Sequence, residues 1–154
     1  MPRNQSLEST DADLRRVEAQ HKEIQTLLAR IEDRFGNHFT GNHGLADVGR
    51  LLSNLEKRLT EHFALEEKVG FLDRALEVAP RLSRRASGLR KQHESLEKNL
   101  RELLKAAEGA MNPDDSWRRT AADFRRFAAE LRRHEKAEDE LEIAAHMDDL
   151  GGGD

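Results

Sequence analysis

Apolar residues recur along this chain in steps of three and four, in four separate stretches. The first, from about Asp11 to Phe35, places Leu14, Val17, Ile24, Leu28, Ile31 and Phe35 on one seam. The second, from about Leu45 to Val78, does so with Leu52, Leu55, Leu59, Val69, Leu72 and Leu76. The third, from about Arg81 to Glu108, uses Leu82, Ala86, Leu89, Leu96, Leu100, Leu103 and Ala107. The fourth, from about Pro113 to Met147, uses Phe124, Phe127, Leu131, Leu141 and Ala145. This is the period of an amphipathic helix that buries one stripe against neighbours.

The punctuation agrees with four helices. Gly36 follows the first seam as a C-cap, and Pro80 breaks the chain after the second. Asn112, Pro113, Asp114 and Asp115 suit a helix start: an N-cap, a proline at the first position, and acids at the positive end of the dipole. Gly88 inside the third stretch weakens it by ~1 kcal/mol relative to alanine. Connections are short except for Gly36 to Gly44, and short links between long helices make antiparallel neighbours. The expected fold is all-α: an up-down-up-down four-helix bundle forming one domain over residues 1–150, with 151–154 as a disordered tail.

Each seam is interrupted by polar residues where apolar ones are expected. His21 falls between Val17 and Ile24, and His93 between Leu89 and Leu96. His62 and Glu66 fall between Leu59 and Val69, and His134 and Glu138 between Leu131 and Leu141. The two sets repeat at one offset: 93−21, 134−62 and 138−66 are each 72. The chain therefore reads as a duplicated helical hairpin with pseudo-twofold symmetry. Twelve residues separate Glu66 from Val78, and twelve separate Arg81 from His93. Both positions then lie ~18 Å from a shared end of the bundle, at 1.5 Å per residue. An antiparallel bundle places all six in one layer.

A lone His-x-x-x-Glu pair on a charged helix is ordinarily a solvated surface pair. Six such residues on the seams are a different case, because unpaired buried carboxylates are costly. A bound cation offsets that cost. Glu66 and Glu138 are the natural bridges between two ions, with His21 and His62 serving one and His93 and His134 the other, or the reverse pairing. Six ligands with two bridging leave positions open for solvent or a small molecule. Imidazole and carboxylate suit iron, zinc, copper and nickel.

Composition narrows the classes. The 154 residues contain no cysteine, which excludes disulfides and thiolate metal sites. Basic residues number 26 and acidic ones 30, with interspersed signs and a net charge of −4. Arg118, Arg119, Arg125, Arg126, Arg132 and Arg133 form a band diluted by acids, so a solvated face is favoured over a nucleic-acid surface. No apolar run has membrane-spanning length and Met1 to Thr10 lack a signal-peptide core, so a soluble cytoplasmic protein is expected.

The stretches around Glu61-His62-Phe63-Ala64-Leu65-Glu66-Glu67 and His134-Glu135-Lys136-Ala137-Glu138-Asp139 resemble signatures of the hemerythrin-like family, the His-His-Glu cation-binding domain. His21-Lys22-Glu23-Ile24 and His93-Glu94-Ser95-Leu96 resemble its first and third helices. The resemblance covers about Asp11 to Met147. It implies a non-haem di-iron centre, two iron ions bridged by carboxylates and an oxo or hydroxo group. Its small ligands are dioxygen, peroxide or nitric oxide.

This chain departs from the oxygen carriers in two places. Where they have a second third-helix histidine, it has Glu97, a candidate seventh metal ligand whose counterpart at the repeat offset is Gln25. Their last carboxylate corresponds to Asp139, whereas the seam and the repeat select Glu138. Three functions follow as expectations: binding or sensing of dioxygen or related ligands; a di-iron oxidoreductase consuming peroxide or nitric oxide, or an iron-handling protein; and a metal-free helical interaction module. His38 and His43 read as turn residues beside Asn37 and Asn42, and Trp117, Phe63 and Phe71 as packing residues.

Overall fold

The computed structural model describes residues 2–36, 42–70, 80–109 and 113–151. Four helices account for nearly all of them: α1 (Pro2–Gly36), α2 (Asn42–Val69), α3 (Ser83–Glu108) and α4 (Pro113–Gly151). A single 3-10 turn, Pro80–Leu82, leads into α3. No strand occurs among the described residues. The arrangement is an all-α four-helix bundle in which α1 packs on α2, α2 on α3, α3 on α4, and α4 closes on α1.

Four helix limits differ from the periodicity, one of them at the end of α4, which runs to Gly151, past the expected Met147 and into the first residue of the expected tail. α1 begins at Pro2 rather than near Asp11, with proline at the first helical position, where its missing N–H costs nothing. α2 begins at Asn42, so His43 lies on a helix and not in a turn, while His38 lies outside the described residues. α2 also stops at Val69, short of the expected Val78. Gly70 adopts a left-handed φ of 66° and its N–H donates to the Glu67 carbonyl at 3.2 Å. Only glycine takes that conformation without strain, so it ends the helix where the apolar pattern alone continues. Leu72, Leu76 and Phe71 lie outside the described residues.

The core falls into two apolar clusters. The larger takes residues after His21 on α1 (Ile24, Leu28, Ile31) and after His93 on α3 (Leu96, Leu100). It joins them to residues before His62 on α2 (Leu52, Leu55, Leu59) and before His134 on α4 (Phe124, Phe127, Leu131). The smaller takes the opposite ends: Leu82, Ala86 and Leu89 against Leu141 and Ala145. Such a partition requires neighbouring helices to run in alternating directions. It leaves one polar layer between the clusters, built from the interruptions in the seams.

Aromatic packing strengthens the larger end. Phe35 meets Trp117 edge-on at 5.1 Å between ring centroids and Phe124 at 5.6 Å. Among the described residues, no helix is long and apolar enough to cross a membrane.

Candidate metal centre

The polar layer contains His62, Glu66, His93, His134 and Glu138, all buried, and His21, which is partly exposed. His21 comes from α1, His62 and Glu66 from α2, His93 from α3, and His134 and Glu138 from α4. One helical turn separates each His from its Glu on α2 and α4, so both side chains of a pair leave the same face.

Their ligand atoms converge in two groups of four. One is His21, His62, Glu66 and Glu138; the other is Glu66, His93, His134 and Glu138, with the atoms of each group within 4.8 Å of one another. Both glutamates belong to both groups. Glu66 reaches His21 Nε2 at 3.4 Å, His62 Nε2 at 2.8 Å and His93 Nε2 at 3.2 Å. Glu138 reaches His93 Nε2 at 3.3 Å, His21 Nε2 at 4.0 Å, and also touches His134 Nε2.

Several of these approaches are not hydrogen bonds. Nε2 of His62 and His134 and one oxygen each of Glu66 and Glu138 are buried without a hydrogen-bond partner. The atoms lie close together, but donors do not align with acceptors. Buried polar groups are ordinarily satisfied. Nitrogen lone pairs and carboxylate oxygens aimed at a shared point are the donor set that a cation satisfies, so the residues present fit a metal.

The outer faces of the imidazoles are held as such ligands require. His62 Nδ1 donates to Gln20 Oε1 at 3.0 Å, and His134 Nδ1 donates to Gln92 Oε1 at 2.8 Å. Protonation at Nδ1 leaves the Nε2 lone pair facing the centre. Gln20 and Gln92 are themselves 92−20, or 72, apart. The repeat therefore carries them too, but they sit beside the seam and carry no charge, so the apolar pattern does not single them out.

Electrostatics follow the crowding. Burial pulls the His21 imidazole down, but the Glu66 hydrogen bond and the charges of Glu135, Glu66 and Glu138 outweigh it and raise it to about 9. His93 behaves alike: burial lowers it, while Glu138 and Glu66 carry it to about 9. Burial raises Glu66, yet the imidazoles of His21, His62 and His93 close around it hold it well below the usual carboxylate range. Without a cation, protons on His21 and His93 thus face the carboxylates, a role that a bound metal ion would take over by displacing them.

Glu97 stands outside both groups, on a half-buried part of α3, and burial raises its carboxyl. Its counterpart Gln25 donates to Glu135. Asp139 is exposed, whereas Glu138 is fully buried. Glu135 was not anticipated: it is only 6% exposed, and burial pushes its carboxyl up to about 7. It lies one helical turn beyond Leu131, on the second row of the α4 stripe with Ala121 and Ala128. That row was legible, but the repeat offered no matching acid.

Comparison with curated proteins and with solved structures returned no match. The family model for the hemerythrin HHE cation binding domain, in contrast, matches residues 12–145, which take in α2 and α3, most of α1 and α4, and every residue of the polar layer. On that span and this arrangement of histidines and glutamates, the chain belongs to the hemerythrin HHE cation-binding family.

Proposed function

We propose that the chain is a di-iron protein that binds or senses dioxygen or a related small ligand. The supporting observation is the pair of four-residue groups that share Glu66 and Glu138. His21 and His62 would hold one ion, His93 and His134 the other, and the two glutamates would bridge them. Iron held this way supplies reversible binding or reduction of small oxygen-derived molecules. Imidazole and carboxylate without thiolate suit it, and the family membership favours it.

The residues around the ligands perform two tasks. Gln20 and Gln92 fix the tautomers of His62 and His134. Phe63 packs against His62, His93 and His134, and the buried Leu59, Leu96 and Leu131, each about one helical turn from a site histidine, add apolar surface that limits water. The two ligand groups leave positions open for a small molecule, because together they offer six side chains to two ions.

The test begins with iron content and the optical spectrum of protein loaded with ferrous iron under anaerobic conditions and then exposed to air. Two irons per chain and a visible charge-transfer band that reverses on deoxygenation are expected. Irreversible oxidation without that band points to redox sensing or iron handling. Sustained peroxide or nitric oxide consumption points to an oxidoreductase. Failure to take up any metal leaves the helical interaction module.

A further inference from the structure

The repeat that builds the centre breaks at one pair of positions inside it. Glu135 follows His134 on α4, and its counterpart at the 72-residue offset, 135−72, is Phe63, which follows His62 on α2. The two residues meet different groups, although Phe63 also lies 5.8 Å from the His62 ring. Phe63 stacks on His93, with centroids 4.0 Å apart and planes 10° from parallel, and meets His134 edge-on at 5.7 Å. Glu135 instead accepts from Gln25, which lies one helical turn after His21 on α1, and its charge acts on His21. A phenyl ring thus stacks on the His93 side, and a carboxylate stands by the His21 side.

Glu135 is held there by residues that also break the repeat. Gln25 Nε2 donates to its Oε2, and Arg132 Nε donates to Gln25 Oε1 at 3.5 Å. Arg132 is in turn paired with Glu32. The counterparts of Gln25, Arg132 and Glu32 are Glu97, Thr60 and Leu104, which cannot repeat the chain of contacts. The other oxygen of Glu135, Oε1, is buried without a hydrogen-bond partner. An anionic side chain buried with one free oxygen is costly unless a positive charge stands nearby.

Resting on the metal reading above, we propose that Glu135 makes the two halves unequal, serving as a third buried carboxylate for the cation on the His21 side. Glu135 lies outside both four-residue groups, so Glu66 and Glu138 would reach that ion as ligands while Glu135 adds a third buried negative charge beside them; the ion beside Phe63 has the two glutamates alone. The ion on the His21 side is held more tightly and fills first.

Anaerobic titration of metal-free protein with cobalt(II), followed by its visible absorption, tests this. The wild type is expected to bind two ions in two unequal steps. Glu135→Gln keeps the size and the Gln25 contact but removes the charge. It should weaken the tighter step about 10- to 100-fold, the usual effect of losing a partner that supports a metal site, and bring the two steps together. Circular dichroism establishes that the variant stays folded. Equal steps in the wild type, an unchanged isotherm in Glu135→Gln, or equal weakening of both steps overturns the proposal while leaving metal binding intact. A wild type that binds no cobalt defeats the metal reading itself.

Discussion

The two apolar clusters lie on either side of one polar layer, and they are built very differently. The larger joins leucine and isoleucine from all four helices to Phe35, Trp117, Phe124 and Phe127. The smaller consists of three leucines and two alanines, with Leu14, Val69, Ala137 and Ala144 packed against it. At ~25 cal/mol per Å² of apolar surface, alanines contribute little next to aromatic rings. The larger end therefore supplies most of the apolar stabilisation. The smaller end relies on the layer beside it, where buried carboxylates repel one another until a positive charge joins them.

The largest test of this difference is metal loading. Free ion at about a thousand times its Kd adds ~4 kcal/mol to the folded state. Hydrogen exchange should locate the gain around Leu82 to Leu89 and Leu141 to Ala145, with little change around Leu55 and Leu100. Uniform protection would remove the distinction between the ends. The difference between loaded and stripped protein should also grow with pH. His21 and His93, raised to about 9 in the metal-free fold, contribute stability that is complete below 6.5 and lost as pH rises through 9. Glu135, raised to about 7, acts in the same direction between 4.5 and 7. Urea melts of stripped protein at pH 6 and pH 9 give the sign: the pH 9 midpoint should be lower, whereas metal-loaded protein should not show that fall.

Next come the leucines. Leu100→Ala removes a fully buried side chain from the larger cluster and should cost ~4 kcal/mol, with or without metal. Leu141→Ala in the smaller cluster should cost ~2 kcal/mol, because a thinner core collapses more readily around a cavity. Denaturant midpoints at constant slope compare the two, and equal losses count against the contrast.

Smaller still is the removal of a glutamine that orients an imidazole. Gln20→Leu and Gln92→Leu should each weaken metal binding about 10- to 100-fold, equivalent to ~1.4–2.8 kcal/mol. A fall in the stripped protein's melting temperature as large as that in the loaded protein would mean that these glutamines serve packing instead.

The smallest effect is a gain. A Cβ on Gly88 meets nothing within 4 Å, and the position is exposed on α3 beside the smaller cluster. Gly88→Ala should stabilise the protein by ~1 kcal/mol by restricting the unfolded chain and favouring the helix. Thermal melts resolve such a shift, and destabilisation would show that the glycine has a packing role.

Much of this molecule is visible along the chain. Steps of three and four identify the four helices because a buried stripe repeats with the helical turn, whatever lies opposite. The interruptions at His21, His62, Glu66, His93, His134 and Glu138 are visible for the same reason, and their constant offset marks them as one set. Periodicity also separates Glu138 from Asp139, since only one of two adjacent residues sits on the seam. It does not show where α2 ends, because Gly70 stops a helix through its backbone while Leu72 and Leu76 continue the apolar pattern.

What belonged to the tertiary structure was adjacency between helices. His62 and Gln20 are 42 residues apart, as are His134 and Gln92, and neither pairing appears in any local pattern. Glu97 and Glu135 are both acids near a histidine, yet only Glu135 is enclosed, since packing of α4 against α1 brings Gln25 over it. A helix's own sequence determines which face turns inward, because burial of its apolar stripe depends on its own side chains. Which groups meet across that interior, and with what charge left unbalanced, is set by the register of four helices together.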